Sequence, residues 1–372
     1  MTVQQTLAEL VAINSVSAGT NAAIIAYLED RCRALNLLVT KFPYTDDRGV
    51  EKVNLVAQSS AGNAVELALV GHTDTVPIDQ TWTEALNLTE KEGKLFGRGA
   101  CDTKAFIACA LTAIGSVDLK ELKKPLALVF TADEEIGCIG AKRLAAANPF
   151  QVRFAIVGEP TSLQPINAGK GYCLAEIAVH GREAHSAYPD LGASAIFGAA
   201  RLIARIEKIA GELKGDSCAE FDPPYTTLNV GLINGGSAKN IVAGECHFTL
   251  EWRSVPGQAT AHVLNLVNQA VADPKTLDPN LNCEVRAARA DESFETAAES
   301  RLVKFLTDAS GRVSATIAFG TEAPTMIALG AEAVVFGPGD IRVAHRTGEF
   351  VRIDELDSCV AILGQAIQHF CL

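Results

Sequence analysis

Short apolar runs constrain this chain more than any other feature. Leu67–Val70, Leu126–Thr131, Phe154–Val157 and Ala331–Phe336 are too short for core helices and almost wholly apolar. Strands of that kind are buried on both faces, which requires a largely parallel sheet covered by helices on each side. The segments around them supply those helices. Leu7, Leu10, Val11 and then Ile24, Ile25, Leu28 recur at helical spacing, and Ala105–Ile114 is apolar nearly all round. The expectation is therefore an α/β fold with a mainly parallel sheet and helices on both faces.

Each run gives way to a polar segment. Leu67–Val70 leads into Gly71-His72-Thr73-Asp74-Thr75-Val76-Pro77. A glycine-punctuated turn, Gly97-Arg98-Gly99-Ala100-Cys101-Asp102-Thr103-Lys104, precedes the apolar helix. Leu126–Thr131 ends in Asp133-Glu134-Glu135, Phe154–Val157 in Gly158-Glu159, and His345 comes after the last run. Open α/β sheets bind their ligands at the carboxyl ends of the strands. His72, Asp74, Asp102, Glu134, Glu135, Glu159 and His345 put five carboxylates and two imidazoles there, a set that repels strongly without a cation.

Histidine and carboxylate donors without thiolate suit zinc, cobalt or manganese. Two divalent ions fit the count, with Asp102 between them, His72 and Glu159 on one side and Glu135 and His345 on the other. Residues two apart on a strand share a face, so Asp74 is expected to reach the His72 imidazole and fix its tautomer. Adjacent Glu134 and Glu135 point to different sides, one towards metal and the other towards a water as general base. The chemistry expected is amide hydrolysis.

The pattern changes after Gly171. Strand-like Cys173–Val179, helical Ala193–Glu212, strands Leu228–Ile233 and Glu245–Arg253, helical Thr260–Ala272 and strand Cys283–Ala288 give the order β-α-β-β-α-β. That is a split-βαβ, ferredoxin-like domain inserted into the larger one. The expected division is 1–171 catalytic, 172–290 inserted lid and dimerisation domain, and 291–372 the rest of the catalytic domain, beginning with a helix from Ser293 to Leu306 and closing with one from Ile353 to His369. A chain of 372 residues exceeds what one core usually supports.

Composition excludes several classes. A formal net charge of −12 argues against nucleic-acid or acidic-membrane surfaces as partners. Met1–Thr20 has no basic segment followed by an apolar core, so no export signal is expected. The ten cysteines form no CxxC pair and are expected to be reduced thiols in a cytoplasmic protein. No GxxxxGK[ST], no GxGxxG after a strand and no GxSxG elbow is present.

Taken together, Gly71–Pro77, Gly97–Lys104, Asp133–Gly140, Gly158–Thr161, His185–Pro189, Gly235–Asn240, Thr321–Pro324 and Gly337–Glu349 resemble, in order, the motifs of the co-catalytic metallopeptidase and aminoacylase family. Its members include acetylornithine deacetylases, succinyl-diaminopimelate desuccinylases and glutamate carboxypeptidases. Pro224–Gly231 and Thr321-Glu322-Ala323-Pro324 incline the chain towards the deacetylase branch. The resemblance implies the ligand set above, Glu134 as the base and a cis peptide after Asp102. It also implies that His185 reaches a neighbouring subunit's site in a homodimer to stabilise the oxyanion. Asn240 and Arg253, with Lys170 and Thr321, are implied to contact the substrate, an N-acyl amino acid. Ala105 stands where a glycine is common in the family, and Arg346-Thr347-Gly348 replaces the usual polar run before Glu349. The rival expectations are another acyl amino acid, such as acetylcitrulline or a succinylated diamino acid, and a catalytically silent binding relative.

Overall fold

A computed structural model describes all residues, Met1–Leu372. The chain divides into two units, Met1–Asn167 with Glu295–Ala315 and Thr321–Leu372, and Ala168–Phe294 with Thr316–Gly320. The first unit opens with helices α1 (Val3–Ala12) and α2 (Ala22–Ala34). Thr2 starts α1 through a capping box with Gln5, each side chain bonding the other's main chain. Strands β1 (Leu38–Thr45), β2 (Glu51–Gln58) and β3 (Ala64–His72) follow, then α3 (Lys104–Ile114), β4 (Leu126–Thr131), α4 (Ile139–Ala147) and β5 (Gln151–Val157). Every residue of α3 except Thr112 is buried, as a helix apolar nearly all round demands, and the buried Lys104 at its start donates to Ile13 O.

The second unit contains β6 (Tyr172–His180), α5 (Ala195–Glu212), β7 (Thr227–Gly235), β8 (Glu245–Arg253), α6 (Ala261–Ala272) and β9 (Asn282–Asp291). The sheet order is β7-β8-β6-β9, antiparallel throughout. Alternate residues Cys173, Ala175, Ile177 and Val179 of β6 and Cys246, Phe248, Leu250 and Trp252 of β8 form its core with α5 and α6. The period of two along each strand puts the intervening residues on the other, half-exposed face. β7 is an edge strand.

The chain returns through α7 (Arg301–Ser310), α8 (Ala323–Ala328), β10 (Glu332–Val335) and α9 (Ile353–Cys371). The helix expected from Ser293 is shorter. Phe294–Glu295 is extended, and the Thr296 hydroxyl accepts from the N–H and donates to the C=O of Ala333 in β10. Only at Ser300, whose hydroxyl caps Leu302 N–H, does the helix begin.

The first unit's sheet runs β1-β2-β4-β3-β5-β10. β4, β3, β5 and β10 are mutually parallel, while β1 and β2 add antiparallel and Ile166 pairs antiparallel with Val335 at the far side. The sheet is thus mixed around a parallel centre. Parallel strands bring their carboxyl ends to one edge, so the segments after His72, Thr131, Val157 and Val335 gather there. No helix is long and apolar enough to cross a membrane.

Candidate active site

His72 is the last residue of β3 and is paired in register with Thr131 of β4. Its Nδ1 lies 3.0 Å from the main-chain O of Asp74, so Nδ1 carries the proton and Nε2 is left as the coordinating atom. The Asp74 carboxylate, expected to make that contact, is 3.7 Å away. It accepts instead from Glu134 N–H (3.1 Å), Glu135 N–H (3.3 Å) and the Ser17 hydroxyl (2.7 Å). The main-chain route wins because the strand ends at His72 and the chain turns, which aims the Asp74 side chain at the next loop.

Asp102 is the centre of the cluster. Its Oδ1 is 3.0 Å from His72 Nε2, and its Oδ2 is 3.2 Å from His345 Nε2. His345 Nε2 is also 2.9 Å from Glu135 Oε2. Ligand atoms of His72, Asp102 and Glu135 all lie within 4.8 Å of one another. The Asp102–Thr103 peptide is cis. Glu349 holds the turn, accepting from Cys101 N–H (2.9 Å) and Asp102 N–H (3.0 Å) at one oxygen and from Arg98 (2.6 Å) at the other. His345 takes a positive φ of 59°, which presents its ring to Asp102 from a turn rather than a strand.

Electrostatics say what this cluster needs. Burial raises the Glu134 carboxyl to about 8 and, with Asp102 and Glu134 adding repulsion, lifts Glu159 well above its ordinary range. Burial opposes a charge on His72, but Asp102, Glu134 and Asp74 together outweigh it and lift the imidazole well above 6.5. His345 is lifted to about 10 by its contacts with Asp102 and Glu135. Asp102 is held low by the same two imidazoles, against the effect of burial. Protons therefore stand in for cations between imidazole and carboxylate. Glu135 Oε1 is buried with no hydrogen-bond partner, an acceptor whose lone pairs are free for a metal. The donor set fits a divalent metal.

The remaining site candidates fall in different places. Thr321 is buried, and its hydroxyl accepts from Ala323 N–H at the start of α8. In the second unit His185 pairs with Ile241 in a two-stranded ladder, and Ser186 N–H donates to Asn240 O, so His185 and Asn240 are neighbours. Both are exposed. Arg253 stacks on Tyr172 (4.3 Å) while bonding Glu251 and Ala318 O. Lys170 is buried, its ammonium donating to Pro223 O (2.6 Å) and Tyr225 O (2.7 Å).

Sequence reasoning passed over Glu322 as a site residue. It is 1% exposed, its Oε1 lacks a partner, and burial raises it to about 7 against the pull of His72. Its signal was available: an acid between the buried Thr321 and the apolar start of α8 has no solvent to face.

Imidazoles and carboxylates packed at the carboxyl edge of a mixed α/β sheet fit a metal-dependent hydrolase. The model of Peptidase family M20/M25/M40 matches residues 68–369, and the chain belongs to that family. It is 51% identical over 370 residues to acetylornithine deacetylase of Myxococcus xanthus, covering 98% of this chain and 97% of that protein. The acetylornithine deacetylase of Proteus mirabilis is 35% identical over 373 residues, 98% of this chain and 95% of that one. In fold the chain resembles a Staphylococcus aureus tripeptidase, with a TM-score of 0.80 at 24% identity over 99% of this chain and 97% of that. An M20 family metallo-carboxypeptidase from Sulfolobus solfataricus gives 0.77 at 20% identity over 99% of each.

Proposed function

We propose that this protein hydrolyses the amide bond of an N-acyl amino acid, N2-acetyl-L-ornithine, to L-ornithine and acetate, a step of arginine synthesis in the cytoplasm. The observation behind this reading is Asp102, one oxygen of which lies beside each imidazole, so that it would be a ligand common to two ions. The identity to the Myxococcus deacetylase over nearly the whole chain supports the substrate.

Two divalent ions are proposed, zinc with cobalt or manganese as alternatives. His72, Asp102 and Glu159 would hold one; Asp102, Glu135 and His345 the other. When bound, the ions supply Lewis acidity and a water acidified to a pKa of about 7. Glu134 takes the proton from the attacking water at its carboxylate and returns it to the leaving amine nitrogen. Asp74 fixes the His72 ring through its main-chain O and the Glu134–Glu135 turn through its carboxylate.

Arg253 and Asn240 are proposed to contact the substrate, Arg253 by orienting a carboxylate, and Thr321 with Lys170 to bind the substrate's α-carboxylate. Lys170 has two donors committed to the Pro223–Tyr225 loop, which leaves one N–H for the substrate. The insert, 172–290, is proposed as lid and dimerisation domain, with His185 stabilising the oxyanion of the partner subunit's site. Its edge strand β7 exposes Leu232 and Ile233, and α5 exposes Phe197, apolar surface that supports self-association.

The test is acetate and succinate release over a panel of acylated amino acids. Metal-loaded protein with about two ions per chain should show a higher kcat/KM for N2-acetyl-ornithine than for N-succinyl-diaminopimelate. Preference for the succinyl compound would move it to the desuccinylase branch. Glu134→Ala should lose orders of magnitude in kcat while keeping its metal, because no coordination bond is removed.

A further inference from the structure

The β1–β2 hairpin carries no residue of the proposed machinery, yet it reaches the turn that bears the Glu134–Glu135 pair. Lys52 of β2 and Asp133 are each at most 1% exposed, and Lys52 Nζ donates to Asp133 Oδ1 at 2.5 Å. Tyr44 of β1 donates its phenol to the other oxygen, Asp133 Oδ2, at 2.8 Å. The Arg143 guanidinium of α4 lies 4.8 Å over the Tyr44 ring. Lys52 Nζ also donates to Ser17 O at 2.9 Å, and the Ser17 hydroxyl in turn bonds Asp74. Asp74 accepts from Glu134 and Glu135 N–H, which closes the circuit.

The backbone explains why such a clamp is present. Asp133 has a positive φ of 58°, uncommon for a residue with a side chain although Asp adopts it more readily than most. This one residue sets the direction in which the next two leave β4. The turn is then closed by Gly137 and Cys138 N–H on Glu134 O. A buried ion pair is weak evidence for stability, because apolar residues of the same shape often serve as well. Its value here lies in direction.

We propose that Lys52 and Tyr44 are positioning residues for Glu134 and Glu135, acting through the Asp133 carboxylate. The proposal rests on the roles given above to that pair. With the clamp intact, the Glu134 and Glu135 N–H groups are held on the Asp74 carboxylate. Without it the Asp133 backbone relaxes and the base drifts from the reacting water. Misplacement by about 1 Å costs roughly a hundredfold in rate.

The test uses the full, metal-loaded chain and two variants. Lys52→Met/Asp133→Asn removes both charges together, so neither is left buried alone, and Tyr44→Phe removes one hydrogen bond. The double variant should keep a Tm near wild type, lose about tenfold to a hundredfold in kcat with KM nearly unchanged, and exchange the amide hydrogens of 133–138 faster. Tyr44→Phe should move kcat and exchange in the same direction by less. A purely structural role predicts that activity returns with Tm in the double variant. Wild-type kcat, or unchanged amide exchange, in the folded variants overturns the proposal. If the double variant does not fold, Tyr44→Phe decides by the same two readouts. Should the wild-type chain release no acyl group from any substrate, the functional proposal fails, while amide exchange still decides the clamp.

Discussion

At the scale of single residues, the cluster's protonation is its most informative property. Without a cation, burial raises Glu134 from 4.5 to about 8 and Glu322 to about 7, while Asp102 and Glu135 raise His345 from 6.5 to about 10. Each of these groups binds its proton more tightly when folded than when unfolded. Each therefore adds stability that is complete below its unfolded pKa and is lost as pH rises through its folded one. That window runs from 4.5 to about 8 for Glu134, from 4.5 to about 7 for Glu322, and from 6.5 to about 10 for His345. Asp102 acts oppositely, but only at acid pH, where its carboxylate would be protonated. Chelated protein should therefore lose Tm steadily from about pH 6 to about pH 9, and protein loaded with zinc or cobalt should lose much less, because the ion replaces the protons. Thermal unfolding across that range checks it; identical slopes with and without metal would contradict the account.

At the scale of elements, the site depends on how closely α3 lies on the sheet. A Cβ placed on Gly158, between the end of β5 and Glu159, would lie 2.1 Å from Phe106 Cδ1 and 2.8 Å from Phe106 Cβ. The near end of a buried ring cannot swing aside, so the backbone at Glu159 must move. Gly158→Ala should destabilise by about 1–3 kcal/mol in denaturant unfolding, the usual cost of overpacking. A change under about 0.5 kcal/mol would mean that the helix is free to shift. The strands at this level were legible because parallel-sheet burial leaves continuous apolar runs. The false helical start at Ser293 had another cause: Ala297, Ala298 and Leu302 suit a helix locally. The Thr296–Ala333 hydrogen bonds overrule that preference.

At the scale of the whole molecule, the proposed homodimer makes a quantitative prediction. Glu134→Ala and His185→Ala proteins, each nearly inactive, are mixed and their subunits exchanged. In a mixed dimer the chain that keeps Glu134 receives an intact His185 from its partner, while the other site carries both lesions. Random exchange at equal amounts makes half the dimers mixed, so activity should return to about a quarter of wild type. A histidine acting within its own chain returns nothing, and verified exchange without regained activity would sink the shared site.

The sequence by itself determined the α/β class, the ferredoxin-like insert and the candidate ligands. Periodicity is a local property, and strand ends are marked by the residues that come after them. His72 and Glu135 follow buried strands and were legible in this way, and the structure sets His72 and His345 against Asp102 and His345 against Glu135. Tertiary structure alone decided what stands behind them. Glu349 is 247 residues from Asp102, and Lys52 is 81 from Asp133. Such pairs are set by strand order and by a turn with positive φ. Lys52 sits in phase with the buried Asn54 and Val56 on β2, but nothing local in the chain names its partner. The tautomer of His72 was decided there too, by a main-chain carbonyl whose direction depends on how the chain leaves the sheet.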